Sequence, residues 1–168
     1  RRLFVASPSC LRHPYNRYTH GAWMGSDRRA QLSPHDKYLG FKKAFHTIRA
    51  HREARCYLAA YVVAFSAFED RLSAACMLAA DLKGEGRPTR HVMHYAKIKR
   101  LESAGHVGPG MAMTWRQAGD KRNDRLHAAM WQVDAGTDGD VDEAVGLARA
   151  ADALASRLKR ELKAVGSR

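Results

Sequence analysis

Apolar residues along this chain recur at helical spacing over most of its length. Ser33 and Pro34 predict a helix start, since serine caps helix N-termini and proline suits the first helical position. From Tyr38 onward, apolar residues recur at steps of three and four as far as Ile48, with lysines and arginines between them. This pattern predicts an amphipathic, basic helix.

The next segment is apolar on every side. Residues 56–68 contain one polar residue, Ser66, before three charged positions follow at 69–71. A run of this length is too short to cross a membrane, so we expect a buried central helix. Apolar residues continue to Leu82, and Gly84 predicts the end of the helix.

Three more helices complete the predicted fold. Their segments are 89–104, 112–133 and a last one that begins at Asp140. Glycine-rich clusters separate them, and Asp140 followed by Glu143 resembles a helix-capping pair. With no strand pattern and no internal repeat, the chain is predicted to be an all-α bundle of four to five helices over residues 36–168.

Charge is concentrated in the first third of the chain. Of 168 residues, 29 are Lys or Arg and 17 are Asp or Glu; residues 1–55 hold 12 of the basic ones but only 3 acids. Residues 1–35 lack a steady period and are predicted to form an irregular basic arm. Such a charge favours a polyanionic partner, most often nucleic acid and less often an anionic membrane, although a basic protein that simply stays soluble is an open alternative. The candidate RNA-binding residues are Arg12, Arg17, Arg28, Arg29, Lys42, Lys43, Lys97, Lys99 and Arg100, and His91, His94 and His106 flank the last three.

The cysteines and the lack of ligand patterns limit the chemistry further. Three cysteines form no paired motif, which favours a reducing, cytoplasmic compartment over a disulfide scaffold. No HxxxH pair, acidic cluster or Cys/His quartet is present, so we expect neither metal nor cofactor. No leader or membrane segment is expected either.

The segment 112–133 carries the candidate chemistry. Its predicted buried stripe comprises Trp115, Ala118, Arg122, Leu126, Ala129 and Val133. A core-facing Arg122 must be paired, bound to an anion or placed at an interface. Asn123 and His127 are four residues apart and share a face. A structural bridge from Arg122 to Glu69 or Asp70 is the alternative interpretation.

These side chains suit metal-independent RNA cleavage. An imidazole such as that of His127 can take or deliver a proton near neutral pH. The guanidinium of Arg122 can stabilise the charge that develops on phosphorus, and Asn123 can orient a phosphate oxygen. Glu69, Asp70 and Asp124 are the candidate supporting residues.

The residues RN-x-x-x-H at 122–127, after a helix that contains AFSAFEDRL at 64–72, resemble the HEPN superfamily over roughly residues 38–164. Ribonuclease members of that family carry an R-x(4–6)-H motif with a polar residue after the arginine. The resemblance implies a helical homodimer whose motif helices face each other. It also implies an endoribonuclease in a toxin–antitoxin or phage-defence system, with an antitoxin or nucleotidyltransferase as a possible partner.

Two other hypotheses stay open. The chain could be a non-catalytic helical module that binds nucleic acid or a protein through its basic arm. It could also be a structural subunit of a larger assembly, with the arm running between neighbours.

Overall fold

The computed structural model describes residues 34–86, 92–131 and 136–166, which form five helices and, within those ranges, no strand. The helices are α1 (Pro34–Glu53), α2 (Tyr57–Lys83), α3 (His94–Ser103), α4 (Pro109–Ala129) and α5 (Asp138–Gly166). The predicted all-α fold is confirmed. The arm predicted over residues 1–35 lies outside the described residues except for Pro34 and His35, which begin α1.

Helix α2 lies at the centre of the bundle. It buries most of its circumference, with Phe65, Phe68 and Leu72 in the core, but one side is open to solvent at Val62, Ser66 and Asp70. Arg71 of α2 lies 3.6 Å from Asp152 of α5, and the backbone at Leu58 lies against Gly136, just before α5. The two longest helices therefore run side by side in the same direction.

Helix α1 packs on α2 and α5 and is antiparallel to both. The aromatic ring of Phe41, near its start, lies under the guanidinium of Arg71, with 5.1 Å between the guanidinium carbon and the ring centre. At the other end of α1, Arg52 forms a bidentate ion pair with Asp138 and a second ion pair with Asp142. The shortest nitrogen–oxygen distance is 2.7 Å in each pair. This helix is basic and amphipathic, with Ile48 buried, as predicted.

Helices α3 and α4 form a hairpin on another side of α2. Ile98 and Leu101 of α3 and Trp115 of α4 are fully buried there. The rings of Phe68 and Trp115 meet edge to face, with centres 5.5 Å apart, which joins α4 to the middle of α2. Helix α4 begins at Pro109, three residues before the predicted start, because proline fits the first turn and Gly108 precedes it in an extended conformation.

The cap of α5 differs from the prediction. Thr137 precedes the helix, its hydroxyl accepts a hydrogen bond from the Asp140 N–H at 3.2 Å, and the Asp140 carboxylate accepts one from the Thr137 N–H at 2.9 Å. This is a reciprocal capping box with aspartate at its third helical position. The predicted pairing of Asp140 with Glu143 is wrong, because Asp140 already lies inside the first turn.

Among the described residues, no helix combines the length and the apolar character that are needed to cross a bilayer.

Candidate active site

The first half of α4 lies in the core and the second half leaves it. Ala112, Trp115, Ala118 and Gly119 are buried, whereas Leu126 is 37% exposed. The predicted buried stripe is therefore wrong at Leu126, and it is only half-buried at Arg122. Ala129 is half-buried, and Val133 lies outside the described residues. Past Gly119, the described helices cover this face only in part.

Arg122 lies at this transition and is half-buried. Its guanidinium carbon lies 5.7 Å above the centre of the Phe65 ring of α2, in a cation–π arrangement. One guanidinium nitrogen donates to the side-chain oxygen of Asn123 at 2.9 Å. An amide oxygen carries no net charge, so the positive charge of Arg122 is not neutralised by these contacts.

The acids expected beside Arg122 are engaged elsewhere. Glu69 lies 3.8 Å from the Nδ1 atom of His94, and Asp70 pairs with Arg71 at 2.5 Å. The structural bridge from Arg122 to either acid is therefore wrong. Asp124 is exposed on α4 and faces solvent.

His127 lies in the last turn of α4 and is exposed. Its side chain forms no ion pair or hydrogen bond with the described residues. Asn123 is exposed one turn before it, on the same face. The structure thus brings Arg122 and Asn123 into contact and leaves His127 exposed on the face of Asn123, with neither ring nitrogen bonded to a described residue.

A buried carboxylate fixes the motif half of α4 to the start of α5. Asp140 is 2% exposed and lies 2.9 Å from the Lys121 ammonium and 3.1 Å from the Arg125 guanidinium. Burial by itself raises the pKa of this carboxyl, but hydrogen bonds from Lys121 and Thr137 outweigh it and hold the pKa below the ordinary value. The residues on either side of Arg122 and Asn123 are thereby anchored.

Little in the sequence predicts this anchor. Lys121 and Arg125 are four residues apart and share a face of α4, which suggests a common partner. Their partner is 15 to 19 residues further on, beyond a turn that no pattern positions.

Apolar side chains surround His127 at the end of α4. Leu126 is 37% exposed, Met130 is 73% exposed and Trp131 is 85% exposed. Three large apolar residues in six consecutive positions, all open to solvent, are unusual beside a polar motif and are typical of a surface that a partner covers.

The predicted RNA-binding lysines lie on two separate helices. Lys42 and Lys43 are exposed on α1, Lys99 is exposed on α3, and Lys97 is half-buried there. Arg100 is engaged by Glu85 at 2.6 Å. The arm residues Arg12, Arg17, Arg28 and Arg29, together with His91, lie outside the described residues.

Two of the flanking histidines point inward. Within the described part of the chain, His94 and His106 each have one buried ring nitrogen without a hydrogen-bond partner. Both residues are half-buried, whereas the sequence favours solvated positions for them, with RNA contact as the other interpretation. Within the described ranges, no three His, Cys, Asp or Glu side chains come together in a way that could hold a metal ion.

No protein-family model, curated protein or solved structure matches this chain. The resemblance to the HEPN superfamily stays a prediction from the motif residues.

Proposed function

We propose that this protein is a HEPN-type endoribonuclease that cleaves RNA without a metal ion, with Arg122, Asn123 and His127 in its active site. One observation carries the proposal. Arg122 is held over the ring of Phe65, no carboxylate of the described residues pairs with it, and its helix presents His127 to solvent. A guanidinium in this state attracts an anion, and a phosphodiester is an anion on which an imidazole such as that of His127 can act.

The proposed reaction is an internal transfer at phosphorus. A histidine takes the proton of the ribose 2′-hydroxyl while its oxygen bonds to phosphorus, and the bond from phosphorus to the 5′-oxygen breaks. A second protonated histidine delivers a proton to that leaving oxygen. The products are a 2′,3′-cyclic phosphate and a 5′-hydroxyl end, and the charge that builds up on the phosphoryl oxygens is stabilised by Arg122.

One protomer supplies only part of this constellation. On an ideal helix Arg122 and His127 lie about 140° apart, so their side chains diverge. A second copy related by a two-fold axis supplies another histidine and another arginine to the same cleft. The exposed Leu126, Met130 and Trp131 supply apolar surface around His127 for such a contact.

The test measures cleavage of single-stranded RNA by the full chain and by two variants, His127→Ala and Arg122→Ala. We expect each to lower the rate by about 100-fold or more, because one removes the proton carrier and the other the stabilising charge. The end groups of the products, read by mass spectrometry, should be a 2′,3′-cyclic phosphate and a 5′-hydroxyl.

The chain offers matched controls on α1 and α5. His46 is an exposed histidine of α1, and Arg149 of α5 lies over Phe45 at 5.8 Å, almost as Arg122 lies over Phe65. His46→Ala and Arg149→Ala should cleave at the rate of the parent. If folded His127→Ala cleaves RNA as fast as the parent, the nuclease proposal is wrong and a basic nucleic-acid-binding module takes its place.

The biological setting is proposed from the resemblance to the HEPN superfamily. That resemblance implies a toxin–antitoxin or phage-defence system, in which an antitoxin or a nucleotidyltransferase controls the activity.

A further inference from the structure

His94, the first residue of α3, lies where three helices meet. Its side chain is 12% exposed, and its ring packs on Phe65 and Phe68 of α2, with centres 5.8 and 5.5 Å apart. Its Nε2 atom lies 3.0 Å from the backbone carbonyl oxygen of Trp115 in α4. A carbonyl oxygen only accepts, so Nε2 carries the hydrogen and donates it.

Helix α4 is shaped to receive this ring. In an α-helix the carbonyl oxygen of Trp115 also accepts the hydrogen bond from the backbone N–H of residue 119. The ring of His94, which donates to the same oxygen, therefore lies close to residue 119. Residue 119 is glycine, and a Cβ atom there would lie 2.9 Å from Cδ2 of His94 and 3.2 Å from its Nε2. Only a glycine leaves room for the ring at this distance.

Packing alone does not account for a histidine at this place. Its Nδ1 atom is buried and has no hydrogen-bond partner among the described residues, and a carboxylate oxygen of Glu69 lies 3.8 Å away. An unsatisfied buried nitrogen costs free energy that a leucine of similar volume would not cost. The imidazole must therefore contribute something other than volume, and the contact it makes to α4 is the hydrogen bond to Trp115.

This contact lies next to the motif. Gly119 and Arg122 are one helical turn apart on α4, and the Phe65 ring that packs on His94 is also the ring under Arg122. A shift of α4 at Gly119 would move the guanidinium away from Phe65. Displacement of a catalytic group by about 1 Å can cost on the order of a hundredfold in rate.

We propose that His94 is a positioning residue, which fixes α4 against α2 through its hydrogen bond to the Trp115 carbonyl and thereby holds Arg122 over Phe65. The effect of His94 on RNA cleavage rests on the proposed nuclease function. Its effect on the position of the Arg122 side chain does not. Glu69, predicted as a partner of Arg122, lies near His94 instead, with 3.8 Å between its carboxylate and Nδ1.

The first experiment follows Arg122 directly, without RNA. The side-chain N–H protons of Arg122 lie over an aromatic ring, so ring current shifts their nuclear magnetic resonance signal upfield. We expect His94→Leu to abolish that upfield shift. The conservative variant His94→Gln should retain it in large part, because its amide can donate to the same carbonyl.

His106→Gln is the matched control, because His106 also has an orphaned buried nitrogen but lies in the loop between α3 and α4. That variant should leave the Arg122 signal unchanged. If His94→Leu does not fold, Gly119→Ala replaces it, since the added methyl group displaces the ring. An unchanged Arg122 signal in a folded His94→Leu or Gly119→Ala variant overturns the proposal.

The second experiment measures RNA cleavage by the same variants. His94→Leu should lower kcat by on the order of tenfold to a hundredfold with little change in KM, since a misplaced Arg122 stabilises the transition state less. In a protein that already carries Arg122→Ala, His94→Leu should not lower kcat any further. An equal loss in both backgrounds overturns the link to Arg122. A parent protein that cleaves no RNA, but whose Arg122 signal responds to His94→Leu, refutes the nuclease function while supporting the positioning role.

Discussion

The guanidinium of Arg122 lies on the ring of Phe65, with 5.7 Å between the guanidinium carbon and the ring centre, and not on a carboxylate. The difference matters because a carboxylate would cancel the charge, whereas an aromatic ring holds the cation in place and leaves it able to bind an anion. Phe65 is 3% exposed and is fixed by its neighbours in α2, so the ring is a rigid support. The active-site proposal depends on this pair.

The first prediction concerns the ring itself. Phe65→Leu keeps an apolar side chain but removes the aromatic face, so Arg122 loses its support and RNA cleavage should fall by about tenfold or more. The measurement is the initial rate of RNA cleavage, with the free energy of unfolding determined in parallel.

Phe45→Leu is its control, because Arg149 lies over Phe45 at 5.8 Å on the far side of the bundle. Both variants should lose on the order of 1 kcal/mol of stability from the changed packing. Equal loss of cleavage in the two variants would show that the effect is general destabilisation.

The sequence predicts the order of the helices well and the support of the site poorly. The bounds of α2 follow from an apolar run and from Gly84, whose φ of 65° ends the helix in the left-handed conformation. These are local signals, which a single sequence contains. The Arg122–Phe65 contact joins residues 57 positions apart, and no local pattern encodes it.

The prediction for α4 failed for a related reason. Helical periodicity correctly places Trp115 and Ala118 on one face with Arg122 and Leu126. It does not show how far along that face a neighbouring helix extends. After Gly119 the neighbouring helices cover this face of α4 only in part. Arg122, which was expected in the core, is therefore half-buried, and Leu126 is exposed.

The second prediction concerns Asp140. Asp140→Asn removes the charge that Lys121 and Arg125 share and weakens the capping box, so the free energy of unfolding should fall by about 2 kcal/mol. Denaturant unfolding at neutral pH measures it. Asp142→Asn is the control on the same helix, since its carboxylate is 64% exposed in its pair with Arg52, and should cost less than about 1 kcal/mol.

The same carboxyl predicts a pH dependence. Its pKa is lowered from 3.8 in the folded protein, so its contribution to stability is present in full above that value and is lost as the pH falls through the lower, folded value. The unfolding free energies of the parent and of Asp140→Asn should therefore converge under strongly acidic conditions. A constant difference between them at every pH would contradict the assigned role.

The third prediction concerns Cys76. Burial raises the pKa of its thiol from 9.0 to about 11. At mildly alkaline pH the fraction of Cys76 present as thiolate is therefore about 100-fold lower than that of an ordinary cysteine. Iodoacetamide should alkylate the half-buried Cys56 of the native protein much faster than Cys76. Peptide mapping by mass spectrometry distinguishes the two, and in concentrated guanidinium chloride the difference should vanish. Rapid alkylation of Cys76 in the native protein would show that the core around α2 opens readily.

The fourth prediction tests the shared cleft that the proposed mechanism needs. Leu126 lies between Arg125, which is anchored by Asp140, and His127, and it is 37% exposed. If a second copy covers this surface, Leu126→Glu places a charge inside the interface and should weaken dimerisation by tenfold or more, about 1.4 kcal/mol. Analytical ultracentrifugation over a range of protein concentrations measures the change.

Met113→Glu is the matched control for that variant. Met113 is 55% exposed on the first half of the same helix, away from the motif, and its substitution should leave the dimer intact. Leu126→Glu should also lose RNA cleavage in parallel with dimer content, because each cleft then lacks the second histidine and arginine. A variant that is monomeric and still cleaves at the parent rate would show that one protomer suffices, and Arg122 and His127 would then have to converge on one phosphate within a single chain.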